Sequence, residues 1–87
     1  MRISIFGLGY VGAVCAGCLS ARGHQVIGVD VSASKIDLIN NGKSPIVEPG
    51  LEELLQQGLA SGNLRGTTDV IDAVLNSDVS LICVGTP

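Results

Sequence analysis

The chain has 87 residues, 46% of them apolar, and a formal net charge of −3. That is room for one small domain with a packed core, which argues against disorder. The acidic balance, with Arg2, Arg22, Lys35, Lys43 and Arg65 scattered along the chain, argues against a nucleic-acid partner.

Arg2 to Phe6 reads as a short β-branched strand without strict alternation, the pattern of a strand buried on both faces of a parallel sheet. Glycines at 7 and 9 break the apolar run, and no run approaches the roughly 18 residues that span a bilayer. Neither a signal peptide nor a membrane span is therefore expected, and the expected compartment is the cytoplasm. From Tyr10 to Arg22 the period becomes helical. Val11, Val14, Cys15, Cys18 and Leu19 recur at three- and four-residue steps as its apolar stripe, and Gly23 ends it. Three cysteines without an export signal predict free thiols. Cys15 and Cys18 have a C-x-x-C spacing, but only His24 and Cys83 remain to complete a metal site, so all three read as small core residues.

Gln25 to Val29 is a second apolar strand, closed by Asp30. Ser32 caps a short helix carrying Ile36 and Ile39, stopped by Asn41-Gly42. "KSPIVEPG" is a loop with two prolines. A third helix is predicted from near Pro49, with Leu51, Leu54, Leu55 and Leu59 on one side. Glu52 and Glu53 stand in its first turn, where the dipole favours them, and Ser61-Gly62-Asn63 ends it. Leu64 to Thr68 is a strand candidate interrupted by Gly66. Thr68 or Asp69 caps a helix reaching about Asn76, and Val79 to Val84 is a strongly apolar strand before Gly85-Thr86-Pro87.

The order β-α-β-α-α-β-α-β predicts an α/β fold with a Rossmann-type, doubly wound parallel sheet. Right-handed crossovers give its first half, four strands in the order 3-2-1-4. Such a domain usually has six strands, so residues 1–87 are expected to be the N-terminal part of a dinucleotide-binding domain, cut off after its fourth strand.

Gly7, Gly9 and Gly12 lie at the turn from the first strand into the first helix. Gly7 permits the tight turn, Gly9 lets the helix N-terminus approach a pyrophosphate, and Gly12 lets the helix pack closely on the sheet. Unpaired N–H groups and the helix dipole favour a diphosphate there without Lys or Arg. Asp30 follows Gly12 at about the separation expected of a ribose-binding acid. Its carboxylate would repel a 2′-phosphate by about 4 kcal/mol per unit charge pair at intermediate dielectric. The predicted cofactor is therefore NAD, preferred over NADP by more than ~100-fold.

The stretches "MRISIFGLGYVGAVCAGCLSARGHQVIGVD", "GKSPIVEPGLEELL" and "SDVSLICVGTP" together resemble the N-terminal domain of the UDP-glucose/GDP-mannose dehydrogenases over essentially the whole chain. The resemblance implies an NAD-dependent oxidoreductase that takes the C6 alcohol of a nucleotide sugar to a carboxylate in two steps, through an aldehyde, a thiohemiacetal and a thioester to a cysteine. It implies GDP-mannose as substrate and alginate biosynthesis as the setting, with UDP-glucose as the alternative, and a homodimer. It implies NAD contacts from Tyr10 and Val11 at the phosphate turn, Asp30 and Lys35 at the adenosine ribose, and Thr86 in "VGTP". The family's nucleophilic cysteine and sugar pocket lie beyond position 87. No catalytic residue or metal ligand is expected within the chain, Cys83 included, and the 87 residues alone are expected to be inactive. Two other classes remain open on the glycine turn alone: a non-catalytic module that senses NAD or another nucleotide, and a methyltransferase.

Overall fold

The structure is a computed structural model and describes residues 1–83. The elements run β1 (Arg2–Phe6), α1 (Tyr10–Ala21), β2 (Gln25–Val29), α2 (Ala33–Asn40), α3 (Leu51–Ser61), β3 (Leu64–Thr67), α4 (Val70–Leu75) and β4 (Val79–Ile82). The strands form one sheet in the order β3-β2-β1-β4, every pair parallel. Phe6 pairs with Val29 on one side and Ile82 on the other. The C-terminal ends of the strands are thus level, and the loops that leave β1, β2 and β3 share one rim. The sequence-based strand through Val84 reaches past the described residues.

Alternation along the central strands divides the core in two. Ile3 and Ile5 of β1 and Val26 of β2 point into the larger cluster, with Ala13, Ala16, Ile36, Ile39, Leu51, Leu55 and Leu64. Ile27 and Val29 face the other way, onto Ala73 of α4 and half-buried Phe6. Ser4, fully buried on that second face, is satisfied by the hydroxyls of Ser80 at 2.7 Å and Ser77 at 2.9 Å. A polar residue inside a buried strand is tolerated because it is paired.

The apolar stripe expected on α1 is rotated. Gly12, Ala13, Ala16, Gly17 and Ser20 are buried, Val14, Cys15 and Leu19 are half-buried, and Val11 and Cys18 are exposed. The cause is close packing: α3 lies so near that a Cβ on Gly17 would stand 2.9 Å from Leu51 Cδ1. The smallest residues therefore face inward, and hydrophobicity alone misplaces the face. The cysteine expectation fails in part for the same reason. All three thiols are free, but Cys18 faces solvent and only Cys15 and Cys83 are half-buried.

Two further boundaries differ. α3 begins at Leu51, after Gly50 turns the chain. Gly66 does not interrupt β3, because the side chain of Asn40 accepts from its N–H at 2.8 Å and donates to its carbonyl at 3.0 Å. The outer edge of β3 thereby gains a substitute partner in place of a fifth strand.

Candidate functional site

β1 delivers the chain to the rim at Gly7, which adopts φ +96, a conformation open to glycine and costly for other residues. Its N–H is held by the Val29 carbonyl at 2.8 Å. Two residues later Gly9 stands at the N-cap of α1 with no side-chain cap, and no acidic residue occupies the first turn. Among the described residues no acceptor is recorded for the N–H groups of Tyr10, Val11 or Gly12. The positive end of a twelve-residue helix is therefore left open at the rim.

The three glycines differ in what they exclude. A Cβ on Gly12 would overlap the Gly7 carbonyl oxygen, so this residue is required by the turn's own backbone. A Cβ on Gly9 would meet nothing within 4 Å. The protein itself has no steric need for glycine at position 9.

Asp30 closes β2 beside this turn. One carboxylate oxygen accepts from the Leu8 N–H at 2.8 Å, the other from the Ser32 N–H at 2.9 Å. Burial by itself would raise its pKa. The Leu8 and Ser32 N–H groups, the charge of Lys35 and the Val31 N–H outweigh that and hold it below the ordinary carboxylate value. The acid is thus charged at neutral pH and keeps acceptor capacity for a further donor. Lys35 stands in the first turn of α2, its N–H on the Ser32 hydroxyl that caps that helix. Beside Asp30, a hollow of about 170 Å³ is walled by Phe6, Gly7, Val29, Val31, Thr68 and Val70. It offers a largely apolar slot next to the carboxylate.

Seven of the eight residues singled out in the sequence therefore meet on this rim or its flanks: Gly7, Gly9, Tyr10, Val11 and Gly12 on the turn, Asp30 next to it, Lys35 in the first turn of α2. The eighth, Thr86, lies outside the described residues. Two features escaped the sequence reading. Asp30 pins the turn through Leu8. The Tyr10 hydroxyl donates to Glu48 at 2.9 Å, joining the turn to the loop between α2 and α3.

Burial, with Cys83 and Cys18 nearby, pushes the Cys15 thiol up rather than down. Among the described residues, no three His, Cys, Asp or Glu converge on a point that could hold a metal ion. A hollow of about 290 Å³ at the opposite ends of the strands includes Arg2 and Arg65. Their guanidiniums are already paired, with Asp78 at 3.0 Å and Asp72 at 2.7 Å.

Comparison with known proteins matches residues 1–87 to the UDP-glucose/GDP-mannose dehydrogenase family, NAD binding domain. A GDP-mannose 6-dehydrogenase of Pseudomonas aeruginosa is 83% identical over the whole chain, and a UDP-glucose 6-dehydrogenase of Rhizobium meliloti is 46% identical over the same span. A crystal structure of a ternary complex of GDP-mannose dehydrogenase from Pseudomonas aeruginosa superposes with a TM-score of 0.99 at 83% identity, covering 100% of this chain. The chain spans 20% of the length of each of these proteins.

Proposed function

This chain belongs to the UDP-glucose/GDP-mannose dehydrogenase family as its NAD-binding domain, and from that premise we propose that it serves a nucleotide-sugar 6-dehydrogenase acting on GDP-mannose. The observation that carries the substrate is the difference in identity, 83% to a GDP-mannose 6-dehydrogenase against 46% to a UDP-glucose 6-dehydrogenase. The cofactor is NAD, and bound at this rim it supplies the hydride acceptor for alcohol oxidation. The chain's own residues bind and orient. The free N–H groups of Tyr10, Val11 and Gly12 hold the diphosphate, and bare Gly9 lets it come close. Asp30, charged and with lone pairs to spare, takes the adenosine ribose hydroxyls. Lys35 stands beside it, and the apolar slot walled by Val31 and Val70 takes the adenine ring. Thr86 completes the set, and no catalytic residue is assigned within the 87 residues.

The finer placements rest on the resemblance: alginate synthesis, the cytoplasm and a homodimer. Among the described residues no helix is long and apolar enough to cross a membrane.

The test is the gene product isolated from its source, given NAD and either GDP-mannose or UDP-glucose. Because alcohol to carboxylate removes two hydrides, GDP-mannose should yield two NADH per sugar, and UDP-glucose little. The reverse preference would transfer the reading to UDP-glucose. NAD binding with neither sugar oxidised would leave a nucleotide-sensing module.

A further inference from the structure

The loop between α2 and α3 is tied down along its length. The Ser44 N–H donates to Glu52 at 3.2 Å, the Ser44 hydroxyl donates to the Ile46 carbonyl, and Ile46 packs against the larger core. The Leu51 N–H closes the far end on the Glu48 carbonyl at 3.2 Å. This loop presents one acceptor to the phosphate turn, the Glu48 carboxylate, and Tyr10 Oη meets it at 2.9 Å. Tyr10 is the first residue of α1 and 57% exposed. That hydrogen bond fixes the ring at the mouth of the turn.

We propose that Glu48 is a positioning residue for the cofactor: by holding the Tyr10 hydroxyl it parks the ring against the loop and leaves the backbone N–H groups of Tyr10, Val11 and Gly12 open to a diphosphate. The inference rests on the NAD reading of this turn. Glu48 acts through Tyr10 and needs no contact of its own with the cofactor. A freed ring must be re-ordered whenever a dinucleotide binds. Immobilising one such side chain costs a factor of about three to ten in affinity. The carboxylate's charge is not what the device requires, since a neutral amide oxygen accepts the same hydrogen bond.

NAD dissociation constants of the wild-type chain and of Glu48→Ala, Glu48→Gln, Tyr10→Phe and the Glu48→Ala/Tyr10→Phe double variant decide the matter. Glu48→Ala and Tyr10→Phe should each weaken NAD about three- to tenfold. The double variant should lose no more than either alone, because both delete one interaction. Glu48→Gln should stay within about twofold of wild type. The Tyr10 titration is read as the difference between the ultraviolet pH titrations of the wild type and of Tyr10→Phe, which cancels every other chromophore. Glu48 holds the Tyr10 phenol above its ordinary value of 10.0, and Glu48→Ala should return it there. If Glu48→Ala is poorly folded, Tyr10→Phe, which removes one exposed hydroxyl, carries the comparison. The proposal is overturned if the phenol shifts back while NAD affinity is unchanged. It is equally overturned if Ala and Gln both tighten binding, which would make Glu48 only a repelling charge. A folded wild-type chain that binds no NAD would instead sink the cofactor reading itself.

Discussion

Two glycines separated by a single turn of helix perform opposite tasks, and one methyl group distinguishes them. Gly12→Ala forces a Cβ onto the backbone carbonyl of Gly7, which no rotamer can relieve. We expect a loss at the upper end of the overpacking range, about 3 kcal/mol, seen as a lower urea midpoint. Gly9→Ala meets nothing in the protein and sits at φ −75, which alanine accepts. Its stability should change by less than about 1 kcal/mol, while NAD binding weakens more than ~10-fold. Equal loss of stability in the two variants would refute this division of labour. Asp30 is likewise two residues in one. Its folded pKa lies below the unfolded value of about 3.9. Its contribution is therefore fully present above pH ~4 and is lost as pH falls through the depressed folded value. Stability measured against pH should drop on that acid side in the wild type and drop less in Asp30→Asn. An unchanged acid limb in the variant would move the effect to half-buried Asp72 and exposed Asp78, whose pKa values are lowered too, first by their hydrogen bonds to Arg65 and Arg2. The sequence pointed to Asp30 through its distance from the glycines. It gave no sign of the bond to Leu8, which depends on how the turn folds back over β2.

At the level of elements, the sheet's two edges are managed differently. The β3 edge is closed by Asn40, which makes both a donor and an acceptor bond to Gly66. Asn40→Ala should cost about 1–2 kcal/mol, the worth of two exposed neutral hydrogen bonds, and speed amide exchange at Gly66. Exchange that stays slow would show that β2 alone holds β3 in place. The β4 edge has no such device among the described residues. Its strand and neighbouring α4 leave Ile71, Leu75 and Ile82 about 70% exposed, while the other face of the sheet lies under helices. Element types were legible in the sequence because strands and helices alternate with clear punctuation. Two aspects were not. The buried face of α1 is chosen by contact distance to α3, and a hydrophobic period cannot register that glycine and alanine win where helices touch. The Tyr10–Glu48 bond spans 38 residues and has no local signature at all.

For the molecule as a whole, the rim is tied to the core. Hydrogen bonds join Gly7 to Val29 and Leu8 to Asp30, and the Leu8 side chain is fully buried in the larger core cluster. A ligand that binds across this rim adds its binding free energy to the stability of the whole small fold. At one hundred times its dissociation constant a ligand contributes about 2.7 kcal/mol. For a domain of this size each 1 kcal/mol moves the melting temperature by roughly 4–8 °C, so saturating NAD should raise it by about 10–20 °C. On the proposed contact of Asp30 with the adenosine ribose, NADP at the same concentration would bind more than ~100-fold more weakly, its 2′-phosphate repelled by the carboxylate, and would sit near or below its own dissociation constant. It should add no more than about 0.4 kcal/mol, or ~3 °C. Lys35 is placed to narrow that gap, since it already draws on Asp30. Thermal unfolding with NAD and NADP side by side therefore reads the cofactor, its ribose contact and the coupling of the rim to the core together. Equal shifts would show that Asp30 does not face the ribose, and no shift with either would show that the turn does not hold a dinucleotide.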